Sequence, residues 1–207
     1  MNVYIGFAIF ALVVCTANLA FHIIRLVRFG NPRDFSKPLG YPGKAIRYSF
    51  TGAMNPARKE SAFLNLPTYT AGILFHIGSF LSAFLFILFL FSYQPPVIPG
   101  YILIFFLLIS GFSGVAILIK RMLNQKLRSL SNPDDYISNF LVTGVQFITA
   151  LALYNPKIFP VYFIAVGILL LYLPLGKLKH TVYFFAARYH LGLFYGWRGT
   201  WPPKNNA

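Results

Sequence analysis

The sequence predicts an all-α fold, a bundle of five transmembrane helices, and three observations carry that prediction. With 57% hydrophobic and 11% charged residues, the chain has too little polar surface to clothe a water-soluble globule. Its apolar residues gather into five uncharged runs, each close to the ~17–25 residues a helix needs to cross hydrocarbon. No alternating barrel-strand pattern is visible, and backbone groups inside lipid must be satisfied within their own helix. The chain therefore reads as a single integral membrane domain over residues 1–207.

The first run, residues 3–24, lacks a basic leading region and a small-residue cleavage site, so it predicts a retained span rather than a signal peptide. It holds Cys15, the only cysteine, so this chain forms no internal disulfide and cannot ligate an iron–sulfur cluster through its own thiolates. Gly30, Pro32, Pro38, Gly40, Pro42 and Gly43 then break the helix and open a long loop, Arg25 to Tyr69. Loops of that length are functional more often than idle. Its basic residues suit a protein docking surface or a segment lying on anionic headgroups.

The second run, residues 70–93, ends at Pro95, Pro96, Pro99 and Gly100. The third covers residues 101–119, the fourth 137–154 and the fifth 158–175. The tail, His180 to Trp201, interleaves Tyr183, Phe184, Phe185, Tyr189, Phe194, Tyr195, Trp197 and Trp201 with arginines, which predicts an interfacial anchor at headgroup level.

The net charge of +14 is one-sided. Of the 18 lysines and arginines, all but Lys157 fall in the first loop, the third loop or the tail. The positive-inside rule then predicts an N-terminus outside, a C-terminus in the cytoplasm and two short outer connections. A nucleic-acid partner is not needed to explain this charge. No run carries Asp, Glu, Lys or Arg at mid-depth, which argues against an ion transporter.

The four histidines are His22, His76, His180 and His190, all on the predicted cytoplasmic half or its interface. His76 would lie roughly 10 Å into the second span, where an ionisable group is costly and tends to mark function. Gly72, His76, Ser79 and Ala83 recur at helical spacing, giving a small-residue face that suits a flat bulky group or a close-packed neighbouring helix. A haem iron held there needs a second axial ligand at similar depth, for which His180 and His22 both qualify. Pro174, six residues before His180, is placed to re-aim the last turns. His190, further along the tail, reads as an interfacial side chain.

Three stretches, FHIG at Phe75–Gly78, KRMLNQKLRSL at Lys120–Leu130 and PLGKLKHTVYFFAARYH at Pro174–His190, together resemble the gamma subunit of respiratory nitrate reductase. They are also similar to its relatives, the small membrane cytochromes linked to heterodisulfide reductase and to dissimilatory sulfite reduction. The resemblance covers roughly spans two to five, and the order and spacing of the motifs carry it. It implies haem b held by one histidine of the second span and one of the last, here His76 and His180, with Gly72 and Ser79 packing on the macrocycle. The family's second haem would need histidines at Phe86 and Tyr162, so the resemblance implies one haem.

On the same basis the chain would be an electron-transfer subunit of the inner (cytoplasmic) membrane rather than a complete enzyme. It would pass electrons between menaquinone or ubiquinone and a cytoplasmic iron–sulfur subunit. His22, Arg25 and Lys179 are candidates to meet quinone or haem propionates, with lipid headgroup contact and helix capping as their alternative roles. With the inner haem alone, quinone chemistry is expected near the cytoplasmic side, with little charge separation. The rival expectation is a cofactor-free anchor or assembly subunit whose histidines serve helix packing.

Overall fold

A computed structural model describes residues 2–29, 34–55 and 64–203, and all regular structure among them is helical. Gly30, Pro32, Arg33, Arg58, Lys59 and Lys204 lie outside the described residues. Four helices are long and apolar enough to cross a bilayer, or five if one broken pair is counted as a span. The protein is thus a multi-pass membrane protein. Its chain divides into two compact units: a bundle unit, Met1–Thr16 with Leu66–Leu178, and a loop–tail unit, Ala17–Asn65 with Lys179–Ala207.

The bundle unit opens with the first half of α1 (Val3–Phe29), which buries Ala8, Ala11 and Cys15. It continues with α3 (Leu66–Leu90), α4 (Val97–Leu123), the short α5 (Gln125–Ser129), α6 (Pro133–Tyr154) and α7 (Phe159–Tyr172). The spans exceed their apolar runs because polar ends carry the helices onward; α4 continues through Lys120 and Arg121, where cations complement the helix dipole. The stop of α3 is a Schellman turn: Ser92 takes φ 57°, its N–H donates to Phe89 O, and the Tyr93 N–H donates to Leu88 O.

Small residues set the packing within this unit. A Cβ on Gly78 would overlap the Ser110 side chain, one on Gly111 would meet the Phe147 ring, and one on Gly114 the rings and hydroxyl of Phe75 and Thr143. These contacts run α3 antiparallel to α4 and α4 antiparallel to α6, so α3 and α6 are parallel. The close approach lets Ser110 donate to the Leu74 carbonyl at 2.8 Å and Gln146 Nε2 donate to the Phe75 carbonyl at 3.1 Å and to Ser79 Oγ at 3.0 Å. Between membrane helices, where burial of apolar surface gives no net drive, such contacts supply the association. Aromatic contacts among Phe86, Phe89, Phe159, Tyr162 and Phe163 fill the other end.

The fifth expected span differs. The helix after α6 stops at Tyr172, giving only 14 residues, about 21 Å of rise. Pro174 lies in the turn that follows, and a new helix begins at His180. Apolar residues run unbroken through Leu173 and Leu175, but proline lacks the N–H an α-helix needs. The break is fastened by α6. Asn132 and Asp135 form a reciprocal capping box, the Tyr172 hydroxyl donates to Asp134, the Lys177 N–H donates to Asp134 Oδ2 at 2.6 Å, and Lys177 Nζ pairs with Asp135 at 2.7 Å.

In the loop–tail unit, part of the long first loop and most of the aromatic tail form a helix pair. α2 (Pro42–Phe50) packs on α8 (His180–Trp197). The seam is Gly192 and Gly196, four residues apart, against Pro42, Ala45, Ile46 and Ser49. A Cβ on Gly192 would stand 2.5 Å from Ile46 Cα, and one on Gly196 would stand 2.6 Å from Ala45 Cβ. Buried Ser49 donates to the Arg188 carbonyl at 2.8 Å. The loop entering α2 is pinned as well: Trp197 Nε1 donates to the Ser36 carbonyl at 2.9 Å, the Leu39 N–H donates to Trp197 O at 2.8 Å, and Asp34 pairs with Arg198 at 2.9 Å.

Candidate functional site

His76 sits on α3 opposite its buried face. Gly78, Ser82, Leu85, Phe86 and Phe89 turn into the bundle, whereas Ile73, His76, Ile77, Phe80 and Phe84 lie on an uncovered stripe. The small face expected around His76 is divided by the fold. Nothing comes within 4 Å of a Cβ placed on Gly72, and Ala83 is exposed, so that part is open. Ser79 is instead half-buried, donating to the Phe75 carbonyl at 2.7 Å and accepting from Gln146, so its hydroxyl is committed to helix packing.

Phe86 and Tyr162, which stand where a second pair of histidines would be needed, are both buried among aromatic rings. The two positions are filled with core side chains of the bundle.

His180 is the first residue of α8 and is exposed; Lys179 occupies the position before it and makes no side-chain cap. His76 belongs to the bundle unit and His180 to the loop–tail unit. His22, also in the loop–tail unit, is half-exposed on the later half of α1, with Nδ1 3.5 Å from the Tyr183 hydroxyl and the two rings 6.0 Å apart. Tyr183 is one turn beyond His180 on α8, so this contact brings His22 to the first turn of the last helix. Arg25 follows His22 by three residues on the same face and extends its guanidinium over the Phe29 ring at 5.7 Å. His190 is half-buried, with Nε2 enclosed and lacking a hydrogen-bond partner.

In the loop–tail unit, the ionisation of Asp34 is clearly displaced. Hydrogen bonds from the Ser36 hydroxyl and backbone N–H, reinforced by Arg198, hold its carboxyl below the usual carboxylate range. Lys44, Arg47 and Arg198 are distributed over the outer surface of the loop–tail unit, Lys44 against the Tyr41 ring and Arg198 against Phe194. Among the described residues, no three His, Cys, Asp or Glu side chains gather in the manner of a metal cage.

Gln146 and Tyr183 escaped the sequence reading. A lone Gln within an apolar run, spaced with Thr143 and Thr149 on one helical face, was the available signal for the first. Tyr183 carried none that set it apart from the other tail aromatics. Comparison of the chain with known protein families, curated proteins and solved structures yields no match.

Proposed function

We propose that this chain is the membrane haem b subunit of a respiratory oxidoreductase complex, passing electrons between quinone and a cytoplasmic iron–sulfur subunit. Its N-terminus lies outside and its C-terminus in the cytoplasm of the inner membrane. The observation that carries the reading is the open face of α3, where an imidazole from His76 stands beside a glycine with free space above it. Gly72 and Ala83 leave room there for the edge of a flat macrocycle, between the larger Ile73, Ile77 and Phe80. His180, at the head of α8, supplies the second imidazole.

When bound between two histidines, haem b exchanges single electrons and offers no open coordination site to a substrate. The surrounding residues then have separable tasks. Arg25 and Lys179 present positive charge for propionates or for a quinone oxygen, and Tyr183 orients the His22 ring. Lys44 and Arg47, on the face of α2 turned away from α8, attract an acidic cluster-bearing partner or anionic lipid headgroups.

A cofactor-free anchor is the second reading, in which the α2–α8 seam, closed by glycine against backbone, serves assembly. A reduced-minus-oxidised absorption spectrum of the purified protein separates the two. The cytochrome reading predicts Soret and α bands in the parent and in His190→Ala, and their loss in His76→Ala and His180→Ala. A folded, colourless parent would overturn it in favour of the anchor.

A further inference from the structure

We infer that the bundle unit holds an internal water site at mid-span, bounded by Gln146 Oε1, Ser82 Oγ and the Tyr162 hydroxyl. Each of these side chains is wholly or almost wholly buried, at 0%, 3% and 0% exposure, and each of these atoms lacks a hydrogen-bond partner. They make three of the four such atoms among the described residues.

The helix contacts draw them together. Gln146 Nε2 is saturated by the Phe75 carbonyl and Ser79 Oγ, which turns Oε1 toward Gly78, 3.1 Å from where a Cβ would stand. Ser82 is one turn beyond Gly78 on the same face of α3. Because α3 and α6 are parallel, one turn onward from the Ser79–Gln146 contact sets Ser82 level with Thr149. Thr149 gives its own proton to the Val145 carbonyl at 2.6 Å, leaving only acceptor capacity, and the Tyr162 hydroxyl lies near it without closing a hydrogen bond. Residues one turn apart are separated by about 5–6 Å, close to the span a single water bridges with two hydrogen bonds.

The donor and acceptor inventory fits water. Gln146 Oε1 accepts only, Ser82 and Tyr162 each donate and accept, and Thr149 Oγ1 accepts. A water donating to Gln146 Oε1 and to Ser82 or Thr149, while accepting from Tyr162 or Ser82, reaches the two to four polar partners that buried waters have. The site also ends a polar row on α6, from Asp134 and Asp135 through Ser138, Asn139 and Thr143 to Gln146 and Thr149, where Ser138 donates to Asp134 and Thr143 to Asn139. This inference is independent of haem, since His76 faces away from these groups.

X-ray hydroxyl-radical labelling of the intact protein in lipid nanodiscs tests it, because radicals form from water beside the labelled side chain. Buried Tyr162 should be oxidised within about threefold of exposed Tyr154, and Gln146→Leu with Ser82→Ala should slow Tyr162 by roughly tenfold without changing Tyr154. Labelling of Tyr162 at background in the parent overturns the inference, as does an unchanged rate in the double variant. Should that variant fail to fold, a density map of the parent at about 2 Å serves instead. Ordered density within hydrogen-bond distance of Gln146 Oε1 and Ser82 Oγ supports the site, and a dry contact there rejects it.

Discussion

The bundle and loop–tail units both join helices through small residues, but they finish the joint differently. In the bundle, glycines admit side chains: Gly78 accepts Ser110, Gly114 accepts Thr143, and the Gln146 amide reaches across to a backbone carbonyl. In the loop–tail unit, glycines admit backbone: Gly192 meets Ile46 Cα and Gly40 meets the Gly196 carbonyl, with charge and an indole N–H locking the outside. The rings and the hydroxyl that face Gly111 and Gly114 can rotate away from an intruding methyl group, whereas a backbone cannot. The loop–tail joint is therefore the more brittle of the two.

The largest effect should follow from Gly192→Leu. Four carbons at a position where even a Cβ stands 2.5 Å from Ile46 Cα force α2 off α8, a loss of about 3 kcal/mol of local stability. Both tryptophans, Trp197 and Trp201, belong to the loop–tail unit, so red-shifted emission and faster amide exchange across Ala45–Ser49 should appear while the bundle's unfolding midpoint holds. Unchanged emission would mean that the seam tolerates bulk and that the two joints do not differ.

Gly78→Ala is the matching lesion in the bundle. The added methyl would stand 2.4 Å from Ser110 Cβ, which no rotamer change moves, so α3 and α4 must part slightly and a loss of about 2–3 kcal/mol is expected in bundle unfolding, with tryptophan emission unaffected. Asp135→Ala removes half of a capping box and the acceptor for Lys177 and Arg121, and about 1 kcal/mol should be lost on unfolding in detergent.

The smallest effect concerns Asp34. Its pKa is lowered in the folded chain, so the stabilisation it adds is present above the ordinary carboxylate pKa and is lost as pH falls through the depressed folded value. Acid titration of Trp197 emission should show a slight step below the ordinary range, absent in Asp34→Asn. A step centred above that range would reverse the assigned sign.

Much of the bundle was legible because hydrocarbon imposes a composition on its spans. Four apolar runs became four long helices, and the mismatch at their ends reflects lysines, arginines and prolines that a hydropathy run excludes but a helix end accepts. The fifth run matches its helix except at the end, where Leu173 and Leu175 look like continuing span while the missing N–H at Pro174, the residue expected to re-aim these turns, stops the helix at Tyr172. The helix pair was concealed by composition: PGKAIRYSF is basic and GLFYG aromatic, so the Gly192–Gly196 spacing was masked by a pattern that also describes an interfacial anchor. Sequence placed His76 among small residues on one face of its helix, but did not show that His76 looks away from the buried face of the bundle. It had no means of finding Gln146's partners, since those are carbonyls, which every residue owns.

Haem content and spin state of the purified protein test the central claim most directly. The account predicts one haem b per chain by pyridine haemochrome, a low-spin ferric signal of paired imidazoles, and none of either in His76→Ala or His180→Ala. Two haems per chain, or full haem retained in either variant, would contradict it.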